Sequence, residues 1–199
     1  MICVDETKRF SIKKVLSHKL LRADLFRYEG DLSYKSFKKS LRNTGFHFTL
    51  FLRLSFSLNK YSPLGMYARR MYRTLSFKYG YQIPRATRIG AGMRISHYGP
   101  LLINSKTIIG ENSYFSHNIT IGETKRGERK GSPVIGSKVW IGPGVTITGK
   151  INIGDNVLIA PNSFVNIDVP SNSLVIGNPA KVIFKEDATE DYITNIYNG

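Results

Sequence analysis

Two of the four histidines in this 199-residue chain stand in the same frame, Ile95-Ser96-His97 and Phe115-Ser116-His117. A free imidazole titrates at roughly 6.5, so near neutral pH it can take a proton from a hydroxyl and give it back. The other two, His18 and His47, lie in apolar stretches of helical spacing, where a structural role is expected. The one cysteine, Cys3, can form no internal disulfide, is not expected to be a nucleophile, and fits a reducing compartment.

What must position the two histidines is a repeat of six. Branched or aromatic apolar residues fall at 89, 95, 103, 109, 115, 121, 135, 141, 147, 153, 159 and 165, and nine of the eleven gaps are six residues long. A helix would need spacings of three and four and a simple strand two, so the period predicts a solenoid of short strands and tight turns. Three units make one coil, and stacked coils place each inward residue on another, as a ladder of isoleucines.

The two longer gaps fall where a solenoid tolerates insertions, at its corners. One surrounds Ser96-His97-Tyr98-Gly99-Pro100; the other, residues 123–134, is a charged arm with glycine hinges. Counting by threes puts Ile95 beside Phe115, so His97 and His117 share a corner. If the arm replaces a single turn, the same corner continues through Gly142-Pro143 and Ala160-Pro161, giving a column with imidazoles at one end and small, open backbone at the other.

The length allows one domain with an extension, and 41% apolar residues suffice for a core. Neither a membrane span nor a signal peptide is indicated, so a cytoplasmic protein is expected. Residues 1–80 carry 17 Lys and Arg against 5 acids, and residues 81–199 carry 12 against 9, for a net charge of +15. Apolar spacing in the first segment is helical: Ile12, Val15, Leu16, Leu20 and Leu21, then Phe46, Leu50, Leu54 and Phe56, then Met66, Met71 and Leu75. Three or four short helices are expected, broken near Glu29-Gly30-Asp31 and Ser62-Pro63-Leu64-Gly65, with basic residues on their outer faces. Such faces are either plainly solvated or drawn to an acidic polysaccharide or a membrane surface. No nucleic-acid motif accompanies the charge. The expected layout is a helical segment 1–81 capping the first coil, a β-helix 82–185, and a short closing helix in 186–199.

Hexapeptide coils with a histidine corner, an arm and a closing Gly177-Asn178-Pro179-Ala180-Lys181 resemble the left-handed β-helix acyltransferases, most closely the serine acetyltransferase branch. The likeness is loose in the helices, where Gly45-Phe46-His47 is similar to the branch's last helices. The resemblance implies a left-handed coil, a homotrimer, and acetyl-CoA as acyl donor in the cleft between copies, with no metal. It implies His97 as general base; His117 either serves the site, as substrate ligand or second proton carrier, or packs beside His97. Gly142, Pro143, Ala160 and Pro161 stand where the family holds pantetheine, and Lys181 would approach a CoA phosphate.

Several positions depart from the serine enzymes. Ser96 stands where they have the aspartate that holds the substrate amine, and Gly131 and Ser132 where an Arg-His pair holds the carboxylate. Gln82 replaces the acid that orients the histidine, and a further acid has no clear counterpart, the nearest being Glu29 and Asp31. Each charged hydrogen bond lost costs about 1.5–3 kcal/mol of binding. The expected acceptor is therefore a sugar hydroxyl of an acidic capsular or exopolysaccharide, met by Ser96, Tyr98, Asn104, Ser132 and Arg129. The first alternative is the same chemistry on serine, in cysteine biosynthesis; the second is a non-catalytic solenoid that binds an anionic surface.

Overall fold

The computed structural model describes residues 18–197. Its core is a parallel solenoid of strands two to four residues long, each too short to stand alone and held by the coils on either side. One sheet stacks β1 (Tyr81–Gln82), β4 (Leu101–Ile103), β7 (Ile119–Gly122), β10 (Thr146–Thr148) and β13 (Phe164–Val165). A second stacks β2 (Arg88–Ile89), β5 (Ile108–Ile109), β8 (Val134–Ile135) and β11 (Asn152–Ile153). The third stacks β3 (Arg94–Ile95), β6 (Tyr114–Phe115), β9 (Val139–Ile141), β12 (Val157–Ile159) and β14 (Ser173–Ile176), with β15 (Lys181–Phe184) added antiparallel. The period of six is thus one strand and one corner, as expected.

The inward ladder on the third sheet is Ile95, Phe115, Ile141, Ile159 and Val175, all fully buried. Each such side chain contributes about 1.5–3 kcal/mol by leaving water. One corner carries a device that the period alone does not reveal. Gly92, Asn112, Lys138, Asn156 and Asn172 all take positive φ there, a conformation that Asn tolerates by bonding locally and Gly adopts freely. The asparagines also bond along the stack, Asn156 Nδ2 donating to Asn172 Oδ1 at 2.8 Å. The signal was present as Gly110-Glu111-Asn112 and Gly154-Asp155-Asn156. Lys138 takes the same conformation, and nothing in its surroundings explains why a lysine stands there.

Before the solenoid come α1 (Lys19–Glu29), α2 (Tyr34–Ser40), α3 (Thr44–Ser57) and α4 (Pro63–Tyr79). Side chains of Ser33, Asn43 and Ser62 accept the first free N–H groups of α2, α3 and α4, and left-handed Gly30 and Gly80 end α1 and α4. The breaks after Glu29 and before Pro63 fall where the sequence placed them, and a third, at residues 41–43, was not expected. The expected helical residues before His18 lie outside the described residues.

The helices satisfy the open edge of the first coil with side chains. Arg53 donates to Ile89 O at 2.8 Å and Gly90 O at 2.6 Å while pairing with Asp24 at 2.9 Å. Asp24 Oδ1 in turn accepts from Met93 N at 2.8 Å, and Arg27 Nε donates to Gly92 O at 3.2 Å. The Tyr28 hydroxyl donates to Ile95 O at 3.0 Å and accepts from Ile95 N at 2.9 Å. Burial, chiefly, and the charge of Arg94 hold the Arg27 pKa down to about 10. Arg27 and Arg53 therefore correct the expectation of outward basic faces: both are buried, because an unpaired strand edge needs donors. The helix also sits close, since a Cβ on Gly45 would lie 2.0 Å from Ile95 O.

Two further expectations need correction. Residues 186–197 form a run of turns rather than a closing helix, and the antiparallel β15 covers the last strand of the third sheet. Met66 and Phe56 point outward rather than into the helical core.

Candidate active site

Register builds the site. Pairing of Ile95 with Phe115, Phe115 with Ile141 and Ile141 with Ile159 puts His97, His117, Pro143 and Pro161 in one column, as the count by threes predicts. The His97 and His117 rings meet edge to face with centroids 5.6 Å apart. His97 is exposed on the longer corner and His117 is half-buried beneath it, its Nδ1 3.4 Å from Ser116 Oγ.

The corner that carries His97 is held from three sides. Gly99 N donates to Tyr79 O at 2.9 Å, which ties the loop to the end of α4. Gly99, at φ 129, lies against His117, where its own Cβ would come 3.3 Å from the histidine Cβ. The hydroxyl of Tyr81, a fully buried ring packed on Phe48, donates to the backbone oxygen of His97 at 3.0 Å. Tyr81 is not legible as a site residue from the sequence, where its only signal is an aromatic at the first inward position of the solenoid.

Down the column the coils pack closely: Gly142 is buried, and a Cβ there would lie 2.9 Å from both Ile159 O and Pro161 N of the next coil. Gly142 N and Ala160 N are spent on the ladder, donating to Ile159 O and Val175 O. Lys181 lies exposed on β15, at the end of the stack far from His97.

The remaining candidates divide. Ser96 shares the histidine corner, its hydroxyl 3.4 Å from Phe115 O, and Tyr98 stands exposed beside it. Gln82 pairs its backbone with Leu102 and is exposed, and among the described residues its side chain makes no hydrogen bond to His97. Asn104 and Ser132 meet at 3.2 Å, but at the other end of the Leu101–Ile103 strand from His97, at the root of the arm. The arm closes by an antiparallel bridge between Thr124 and Gly131, and Arg129 reaches Asp168 at 3.2 Å. Glu29 and Asp31 are engaged at the junction of α1 and α2, with Lys39 and with Ser33 and Ser36. Within one chain the arm and the histidines thus occupy different corners. His47 is packed among Phe51 and Tyr79, and burial, with Lys78 nearby, lowers its pKa.

Comparison with known proteins places this arrangement. The family model for bacterial transferase hexapeptides (six repeats) matches residues 132–166. The serine acetyltransferase of Helicobacter pylori strain 26695 is 33% identical over 142 residues, covering 71% of this chain and 82% of that protein. Serine acetyltransferase 2 of Arabidopsis thaliana is 35% identical over 136 residues, but the chain spans only 42% of that relative's length and is covered over 63% of its own. Among solved structures, the Neisseria gonorrhoeae serine acetyltransferase in complex with serine aligns with a TM-score of 0.64 at 29% identity, over 85% of this chain and 72% of that one. The Brucella abortus enzyme in complex with coenzyme A aligns with a TM-score of 0.64 at 27% identity, over 87% and 72%.

Proposed function

Because the chain belongs to the serine acetyltransferase family, we propose that it transfers the acetyl group of acetyl-CoA to the hydroxyl of serine, with His97 as general base. The observation that carries this reading is the match along 82% of the Helicobacter pylori serine acetyltransferase. It overturns the polysaccharide acceptor expected from Ser96, Gly131 and Ser132. Substitutions at single contact positions speak only for those contacts, whereas the likeness to serine enzymes runs through the helices and the solenoid together. The arm also keeps Lys125, Arg126 and Lys130 exposed, so cations for a carboxylate remain on it.

In the proposed reaction His97 accepts the proton of the serine hydroxyl as its oxygen attacks the thioester carbonyl carbon. The tetrahedral intermediate expels the CoA thiolate, which takes the proton back from the imidazolium, so no covalent enzyme intermediate is needed. Pro143, Ala160 and Pro161, on the same corner as the histidines, are where this reading lays the pantetheine arm. A site that joins the His97 corner to the arm has to be built between two copies, which supports a homotrimer with its clefts at the subunit boundaries. Among the described residues no helix is long and apolar enough to cross a membrane.

Incubation with labelled acetyl-CoA and serine should yield O-acetylserine and free CoA thiol in equal amounts. Thiol release no faster with serine than without it would remove the assignment. Tyr81 gives a second expectation, as a positioning residue that acts through His97. Displacing a reacting group by about 1 Å can cost on the order of 100-fold in rate, and a lost neutral hydrogen bond shifts a loop by less than a lost side chain. Tyr81→Phe should therefore lower kcat by roughly tenfold and leave the KM for acetyl-CoA and the melting temperature near those of the parent. Unchanged kcat, or a loss confined to stability, would reduce Tyr81 to packing.

A further inference from the structure

The outer face of α4 takes no part in the proposed reaction, and its composition is unusual for a face left in water. Met66, Arg70, Arg73 and Phe77 fall at i, i+4, i+7 and i+11, which is one stripe of a helix. Phe77 is 90% and Met66 55% exposed. Arg69, Arg70 and Arg73 line a shallow depression with Met66, Thr74 and Phe77, and Tyr67 lies exposed at its flank. The helix contains no acidic residue, and none of the ion pairs among the described residues involves its cations. The positive field extends across to the solenoid, where Arg85 has its pKa lowered by burial and by the charges of Arg69 and Arg73.

Two requirements select the occupant. Exposed Phe77, Met66 and Tyr67 favour a partner that removes apolar surface from water, and the arginine cluster favours one of negative charge. A second copy meeting this face through a two-fold would set Arg70 and Arg73 against like charges, and a purely polar polyanion would leave Phe77 in water. An anionic bilayer surface meets both, with apolar side chains at the acyl boundary and guanidinium groups at the phosphates. We propose that the outer face of α4 adsorbs the protein to membranes containing anionic phospholipid, a shallow contact made by Met66, Tyr67 and Phe77 with Arg69, Arg70 and Arg73.

The test is sedimentation of the full chain with vesicles of phosphatidylcholine alone or with about 30% phosphatidylglycerol, at low and at about 0.5 M salt. Binding is expected only with phosphatidylglycerol and should weaken as salt screens the charges. Each basic residue at an anionic surface contributes roughly a fivefold factor, so changing Arg69, Arg70 and Arg73 together to Gln should lower partitioning on the order of 100-fold. Phe77→Ser should lower it severalfold without changing the salt dependence. Arg70, Arg73 and Phe77 point outward and Arg69 is half-buried at the edge of the face, so far-UV circular dichroism should be unaltered in both variants. Equal binding to neutral vesicles, or a triple variant that binds as the parent does, would overturn the proposal. So would binding to polyglutamate that matches vesicle binding and ignores Phe77→Ser, or a triple variant whose defect is a changed oligomeric state in sedimentation equilibrium.

Discussion

Replacing His97 by alanine is expected to reduce acetyl transfer to serine by at least ~10²-fold, the usual contribution of a positioned general base, while the protein stays folded. The fold should survive because His97 is exposed on a corner and its backbone, not its ring, is what Tyr81 holds. Among the described residues the ring's one aromatic neighbour is His117, edge to face at 5.6 Å. If His117 serves only to pack beside His97, His117→Asn should cost much less than His97→Ala. If it carries the proton onward, the two losses should be similar, and the double variant should be little worse than either single one, as for groups that act as a unit. Turnover of His97→Ala within a few-fold of the parent would end its assignment as base. The measurement is thiol release under saturating acetyl-CoA and serine, with circular dichroism alongside.

Replacing Asp24 by alanine is the change expected to cost most in stability. Asp24 is fully buried, pairs with buried Arg53 at 2.9 Å, and accepts from Met93 N at 2.8 Å. Removing it strands a guanidinium in the interior and leaves a backbone N–H of the first coil without a partner. Breaking a buried pair from one side costs about 3–5 kcal/mol. Asp24→Asn keeps one acceptor oxygen, enough for Met93 N and Arg53 Nη2, and should cost less, although the charge and the acceptor facing Arg53 Nε are lost. Urea denaturation of the two variants checks this: similar midpoints would show that the lost charge alone carries the effect and that the acceptor kept by Asn contributes nothing. Since the same group of side chains grips residues 89–95, just before His97, Asp24→Ala should also lower turnover at temperatures where the protein remains folded.

These two residues mark how differently parts of the protein could be read from its sequence. His97 was visible because the period of six carries its own geometry. A repeat in which each unit is one strand and one corner leaves little choice of register, so counting residues was enough to put His97 beside His117 and above Pro143 and Pro161. The same holds for the insertions at 96–100 and 123–134, which a stacked coil can place only at corners. Asp24, Arg27 and Arg53 could not be read that way. As helical residues among many cations they looked like a solvated face, and only contact with the first coil, from the far side of the chain, makes them donors and acceptors for a strand edge.

The acceptor shows the same limit. Ser96, Gly131 and Ser132 pointed away from serine when taken one at a time, yet they lie at two corners that one chain does not bring together, so their joint meaning depends on how copies meet. Local order, in short, came from a repeat whose spacing dictates stacking: the solenoid, its ladder and the histidine column. Contacts between segments distant in the chain settled the rest. They decided which charges are buried, that Tyr81 holds the His97 loop, and that Met66 and Phe77 face outward on a helix whose inner side α3 and the solenoid had already taken. Spacing along a chain can state which residues share a face, but which face meets what is a property of the packed whole.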